Sequence, residues 1–165
     1  TTGREKPQPQ VLNTSTLEKI INVSELSTFT AVYNGIAEVA NEKKPDQIDY
    51  YVSYEATVNA GIDFQTVGVS MDEEQKIITL KVPEAHITNL AVDMSSLDFI
   101  FLNKKADKSG VTEAAYKACE EDVRRESEQQ TAICELAKQN AKNVLKALAQ
   151  PIVNQLGADY QLVIE

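Results

Sequence analysis

The sequence predicts an α+β fold: an antiparallel, mostly meandering sheet of about six or seven strands packed on one long C-terminal helix, with a short N-terminal helix and a final C-terminal strand. Three observations carry this. Residues 48–58 alternate apolar and polar, the period of a half-buried strand. Short β-branched runs on either side of them are separated by polar turns. From Val111 to Ala149 there is neither Gly nor Pro, and apolar residues recur at threes and fours.

Taken in order, residues 1–13 are polar, carry Pro7 and Pro9, and read as a linker-like segment ahead of a single domain over 14–165. Ser15-Thr16-Leu17-Glu18 has the form of a capping box, and Leu17, Ile20 and Ile21 share a face, which predicts a short helix over 16–22. Leu26 to Tyr33, continuing towards Val39, is rich in β-branched and aromatic residues and predicts a strand. In the next run Ile48, Tyr50, Val52, Tyr54, Ala56 and Val58 fall on one face, which is expected to be buried against the helix. Gly61 and Asp63 then mark a structural turn, with Gly61 at a positive φ or a bulge. Further strands are expected over 67–70, 77–82, 87–92 and 97–102, with Met71 to Gln75 an acidic hairpin turn and Pro83 a strand terminator.

In the last third, Thr112 offers a hydroxyl cap, and Ala115, Cys119, Val123, Ile133, Ala137, Ala141, Val144, Leu148 and Ile152 form the apolar stripe. Pro151 and Gly157 are expected to end the helix, and Tyr160 to Ile164 to form the last strand. Between Glu120 and Thr131 the only apolar residue is Val123, so this stretch is expected to project from the body or meet a partner. Glu120, Glu121, Arg124, Arg125 and Glu128 are the candidate contact surface. Cys119 and Cys134 are expected to be free thiols, because on one continuous helix they lie roughly 22 Å apart along the axis, whereas a disulfide needs Cα atoms within about 7 Å; the rival reading is a helical hairpin turning within Glu120–Thr131, which could bring them together, though no Gly, Pro or Asn occurs there.

Composition excludes several functions. The net charge of −9 argues against general binding to nucleic-acid phosphate or anionic surfaces. Two cysteines make no disulfide scaffold. Phosphate-binding glycine loops and nucleophile elbows are absent from the sequence. His86 is the single imidazole; it is more simply a polar residue at a strand start than a base oriented by Glu84. One His and two distant Cys are too few for a zinc site, and Asp72-Glu73-Glu74 lacks the spacing of a calcium loop. The sequence therefore predicts neither enzyme nor cofactor.

Four stretches resemble a known family: Ser24 to Thr28 entering a strand, Tyr54 to Asp63, Ile77 to Ile87, and a long Ala-rich helix ending in Gly157 and a hydrophobic strand. The most specific are the Ala60-Gly61-Ile62-Asp63 turn and the Leu80-Lys81-Val82-Pro83 strand end. From about Thr14 to Glu165 the chain is similar to the bacterial family domain of unknown function 4230. Its members typically carry an N-terminal membrane anchor, which implies an extracytoplasmic domain touching the membrane only through that anchor. The resemblance carries over no catalytic residue. The expectation is a non-enzymatic, envelope-associated domain that binds a protein partner or self-assembles through the long helix. The alternative is a small-molecule or lipid-binding module with a cavity lined by Tyr50, Val52 and Tyr54 between sheet and helix.

Overall fold

The computed structural model describes Leu17, residues 28–157 and residues 159–165. Leu17 is helical and buried; the rest of the helix expected over 16–22, its capping box and the linker-like segment lie outside the described residues. The architecture is α+β, with an antiparallel sheet of several strands and a long C-terminal helix. The chain divides into two compact units, one built from Leu26–Ile62 and Glu84–Ala141, the other including Asp63–Pro83 and Lys142–Glu165.

The first unit is organised around β2 (Ile48–Gly61). It pairs antiparallel with β1 (Phe29–Ala40) along one side. On its other side it takes two short strands end to end: β6 (Asp98–Phe101) against Tyr50–Ser53 and β5 (His86–Val92) against Ala56–Gly61. At 14 residues β2 is long enough for both. The expected meander is corrected accordingly, because β2 does not pair with the strand that follows it.

The even-numbered face of β2 is buried as the alternation requires: Tyr50, Val52, Tyr54, Ala56, Val58 and Ala60 are all at most 3% exposed. Helix α1 (Val111–Gln129) packs on this sheet through Ala115, Cys119 and Val123, spaced four residues apart on one face. Its N-cap is Gly110 at φ 88°, so Thr112 lies inside the helix rather than capping it.

Two expectations about this helical region are corrected. The helix is not continuous: Gln130, at φ −93° and ψ 89°, separates α1 from α2 (Thr131–Leu156). Ile133 and Ala137 belong to the same core as Cys119 and Val123. At about 100° per residue Ile133 is in phase with Ala115 of the same core, so periodicity alone carries no sign of the break. The interruption at Gln130 occurs without a neighbouring Gly, Pro or Asn. The stretch from Glu120 is not detached either. Asp122, Val123 and Ser127 are buried, and only the opposite side of the helix is exposed.

In the second unit, β3 (Gly68–Asp72) and β4 (Ile77–Lys81) form a hairpin, and β7 (Gln161–Ile164) runs parallel to β4. These three strands form a sheet of their own, so the strands do not share a single sheet. The Asp72 carboxylate accepts from the Glu74 and Gln75 amides at 3.0 Å, and Lys76 takes φ 55°, which closes the acidic turn. Pro151 lies inside α2, which ends at Leu156 ahead of Gly157 at φ 131°. Leu145, Ala149 and Val153 are fully buried, one turn apart, on both sides of that proline, and their burial offsets its missing N–H. The buried stripe is therefore Ala137, Ala141, Leu145, Ala149 and Val153, with Val144 and Leu148 beside it.

Candidate functional site

The polar centre of the first unit lies beneath its sheet. Tyr54, on the buried face of β2, donates its hydroxyl to Asp122 Oδ2 at 2.6 Å, and Arg125 Nη2 donates to Asp122 Oδ1 at 2.6 Å. The carboxylate thus bridges a buried phenol and a guanidinium that reaches solvent. Tyr33 packs beside Tyr54 with ring centroids 6.1 Å apart. Gly35, paired with Tyr54 across the ladder, leaves room for both rings; a methyl there would overlap the Tyr54 ring.

Burial, reinforced by the hydrogen bond and charge of Asp122, raises the Tyr54 hydroxyl well above its ordinary value. Burial, then the Asp122 charge, pushes the Cys119 thiol up to about 11. Tyr33 is raised by burial first and then by the Glu126 and Asp122 charges, with Arg125 opposing. The phenols and the thiol are therefore held protonated at neutral pH. The arrangement suits a structural tie and not an activated nucleophile. Asp122 was not singled out by the sequence reading. Its signal was position: it sits three residues after Cys119 and beside Val123, an acid within an otherwise apolar stripe.

The other residues singled out in the sequence are dispersed. Glu121, Arg124, Arg125 and Glu128 are exposed on α1, and Glu120 is half-buried. Arg124 and Glu128 border a cavity of about 300 Å³ against residues 87–90 of β5. Val52 is packed solidly in the core; of the three expected cavity residues, Tyr50 borders a cavity of about 440 Å³ near the start of α1, and Tyr54 borders a different one beside Gly35 and Ser53. Gly61 is extended at the end of β2, paired with His86, and its expected positive φ is corrected. The bulge lies opposite, where β5 inserts Thr88 against Asn59 and Ala60. Asp63 caps a 3-10 turn, accepting from the Gln65 amide at 3.0 Å. His86 is exposed, and Glu84 pairs with Lys138 at 2.5 Å. Cys119 and Cys134 are both free. Among the described residues no group of three His, Cys, Asp or Glu is placed to hold a metal, and no helix is long and apolar enough to cross a membrane.

The outer face of the four-stranded sheet is a second feature that sequence reading passed over. Val32, Ile36, Ile100 and Leu102 are 61–65% exposed on the side away from α1. Val32 and Ile36 lie on β1, an edge strand among the described residues. In its 12 residues β1 carries one charge, Glu38, and no Pro or Lys. Edge strands are ordinarily blunted by charge, Pro or cover, and among the residues of this one only Glu38 is of that kind.

The described residues thus form an α+β domain with an apolar outer sheet face, an open strand edge and a buried polar centre. A family model described as "Protein of unknown function (DUF4230)" matches residues 18–163, and the chain belongs to that family. Among curated proteins none matches.

Proposed function

We propose that this protein is a non-enzymatic assembly module, tethered at the extracytoplasmic face of a bacterial membrane, that associates with a second copy of itself through the edge of β1 and the apolar face beside it. The observation that carries the reading is the β1 edge: twelve residues long, charged only at Glu38, with Val32 and Ile36 about two-thirds exposed. A protein of net charge −9 resists self-contact over most of its surface, and Phe29–Ala37 is a stretch without charge where that repulsion is least. Antiparallel pairing of two identical edges is self-complementary about a two-fold axis, and it satisfies backbone groups that an edge leaves to water. The candidate surface on α1, exposed Glu121, Arg124, Arg125 and Glu128 with half-buried Glu120, is less suited, because burying so many charges costs desolvation. The tethered placement rests on resemblance to a family whose members typically carry an N-terminal anchor. Hydrogen exchange tests the contact: outward-facing β1 amides gain protection as concentration rises, and protection that is independent of concentration contradicts it.

A second reading, binding of a small molecule or lipid, has one observation in its favour. Tyr50 borders a cavity of about 440 Å³ between the end of the sheet and the start of α1.

A further inference from the structure

The residues of β1 are close to self-complementary about Asn34. Thr30, Val32, Asn34, Ile36 and Glu38 point to the outer face of the sheet, and Ala31, Tyr33, Gly35 and Ala37 to the inner one. In an antiparallel pair, residues directly opposite share a face, so a second copy of β1 must set outer residues against outer ones. Two such registers use nearly the whole strand, one with its two-fold axis at Asn34 and one with it at Gly35. An axis at Gly35 sets Val32 against Glu38 and Ile36 against Asn34, so each exposed apolar side chain meets a polar one. An axis at Asn34 sets Val32 against Ile36 of the second copy, and Ile36 against its Val32. On the inner face the same axis sets Ala31 against Ala37, and Tyr33 against Gly35, which has no side chain to obstruct the ring. Glu38 then stands opposite Thr30, and the two copies of Glu38 are eight residues apart along the ladder. That is roughly 26 Å at about 3.3 Å per residue, well beyond the ~10 Å over which charges interact at 0.1 M salt.

Asn34 is exposed, and among the described residues its carboxamide makes no hydrogen bond. Asn is a poor strand former, yet it stands in the middle of the uncharged stretch Phe29–Ala37. A carboxamide both donates and accepts, so at a two-fold axis each copy supplies what the other lacks. We propose that two copies of this chain join in a single register with the two-fold axis at Asn34, where the paired carboxamides fix the register and Val32 against Ile36 supplies the apolar contact. The inference deepens the self-association reading above and rests on it. The product is one continuous sheet with both copies of α1 on the same face.

Cysteine cross-linking tests the register. Thr30→Cys, Val32→Cys, Asn34→Cys, Ile36→Cys and Glu38→Cys are made singly in a Cys134→Ser background and oxidised mildly. Opposed residues bring Cβ atoms about 4.5–5.5 Å apart, within a small adjustment of disulfide geometry. Asn34→Cys alone of the five is expected to form a covalent dimer. Val32→Cys and Ile36→Cys are each four residues from their own copies, so neither cross-links singly and an equimolar mixture of the two does. Asn34→Ala is expected to weaken dimerisation several-fold, and Asn34→Asp, which sets two carboxylates face to face, at least tenfold. A covalent dimer at another single position in place of Asn34→Cys, or a mixture that fails to cross-link, overturns the register and leaves the β1 contact standing. Dimerisation unchanged in Asn34→Ala overturns the role of the carboxamide. A wild-type protein that stays monomeric in sedimentation, or a dimer that cross-links at none of the five positions nor in the mixture, removes both the register and the self-association reading.

Discussion

The Tyr54 hydroxyl and the Asp122 carboxylate meet at 2.6 Å across 68 residues of chain, joining the middle of β2 to α1. The bond is buried, so its loss is not made up by water. Tyr54→Phe is expected to cost about 1–3 kcal/mol, since it strands a buried carboxylate oxygen. Tyr54→Phe combined with Asp122→Ala should cost less than the two single losses added together. Urea unfolding of the four proteins measures the coupling, and strict additivity contradicts it.

Gly35 is expected to tolerate no side chain. Its Cβ would meet the Tyr54 ring and would lie 2.7 Å from Tyr33 Cε1. Gly35→Ala must therefore displace the ring that reaches Asp122, at an expected cost of about 1–3 kcal/mol. Thermal unfolding checks this, and a melting temperature equal to wild type refutes it.

The register of β2 makes adjacent residues behave differently. Val52 is fully buried, while Ser53 faces outward opposite Asp98. Val52→Lys should abolish cooperative unfolding by burying an unpaired charge. Ser53→Lys places a cation beside an acid and should stay within about 0.5 kcal/mol of wild type. Equal destabilisation in the two would mean that the strand is out of register.

Alkaline pH should weaken the fold in a defined window. The Cys119 thiol is pushed from 9.0 up to about 11 by burial. Above about pH 9 the unfolded chain loses that proton first, so the stability is fully present below pH 9 and is lost as pH rises towards 11. Tyr54 and Tyr50, also raised by burial, act in the same direction. Denaturation midpoints between about pH 7 and pH 10.5 should fall, and less steeply in Cys119→Ala. In native protein at neutral pH, alkylation should reach half-buried Cys134 and spare Cys119. Midpoints flat through this range, or Cys119 labelled first, would contradict the buried position.

Periodicity made β2 and its buried face legible, because alternation over eleven residues has one solution with a core on one side. It did not reveal that β2 would take β5 and β6 end to end while β3 and β4 pair with β7, because sheet partners are chosen by long-range packing. The break at Gln130 left no local signal, because Ile133 is in helical phase with Ala115 and the apolar stripe reads straight through it. Asp122 was hidden for a related reason. A charge count classes it with the wet residues around it, and only the helix phase shows that it faces Tyr54. The apolar outer face was likewise invisible in each strand alone, because Val32, Ile36 and Ile100 come together only once the strands pair.

Self-association through β1 is the central claim, and sedimentation velocity over a range of concentrations tests it most directly. The wild-type protein is expected to shift from monomer to dimer as concentration rises. Val32→Lys/Ile36→Lys, which alters two exposed side chains and should leave the melting temperature nearly unchanged, is expected to remain a monomer throughout. A wild-type protein that stays monomeric at every concentration, or a dimer that the double variant leaves intact, would contradict the account.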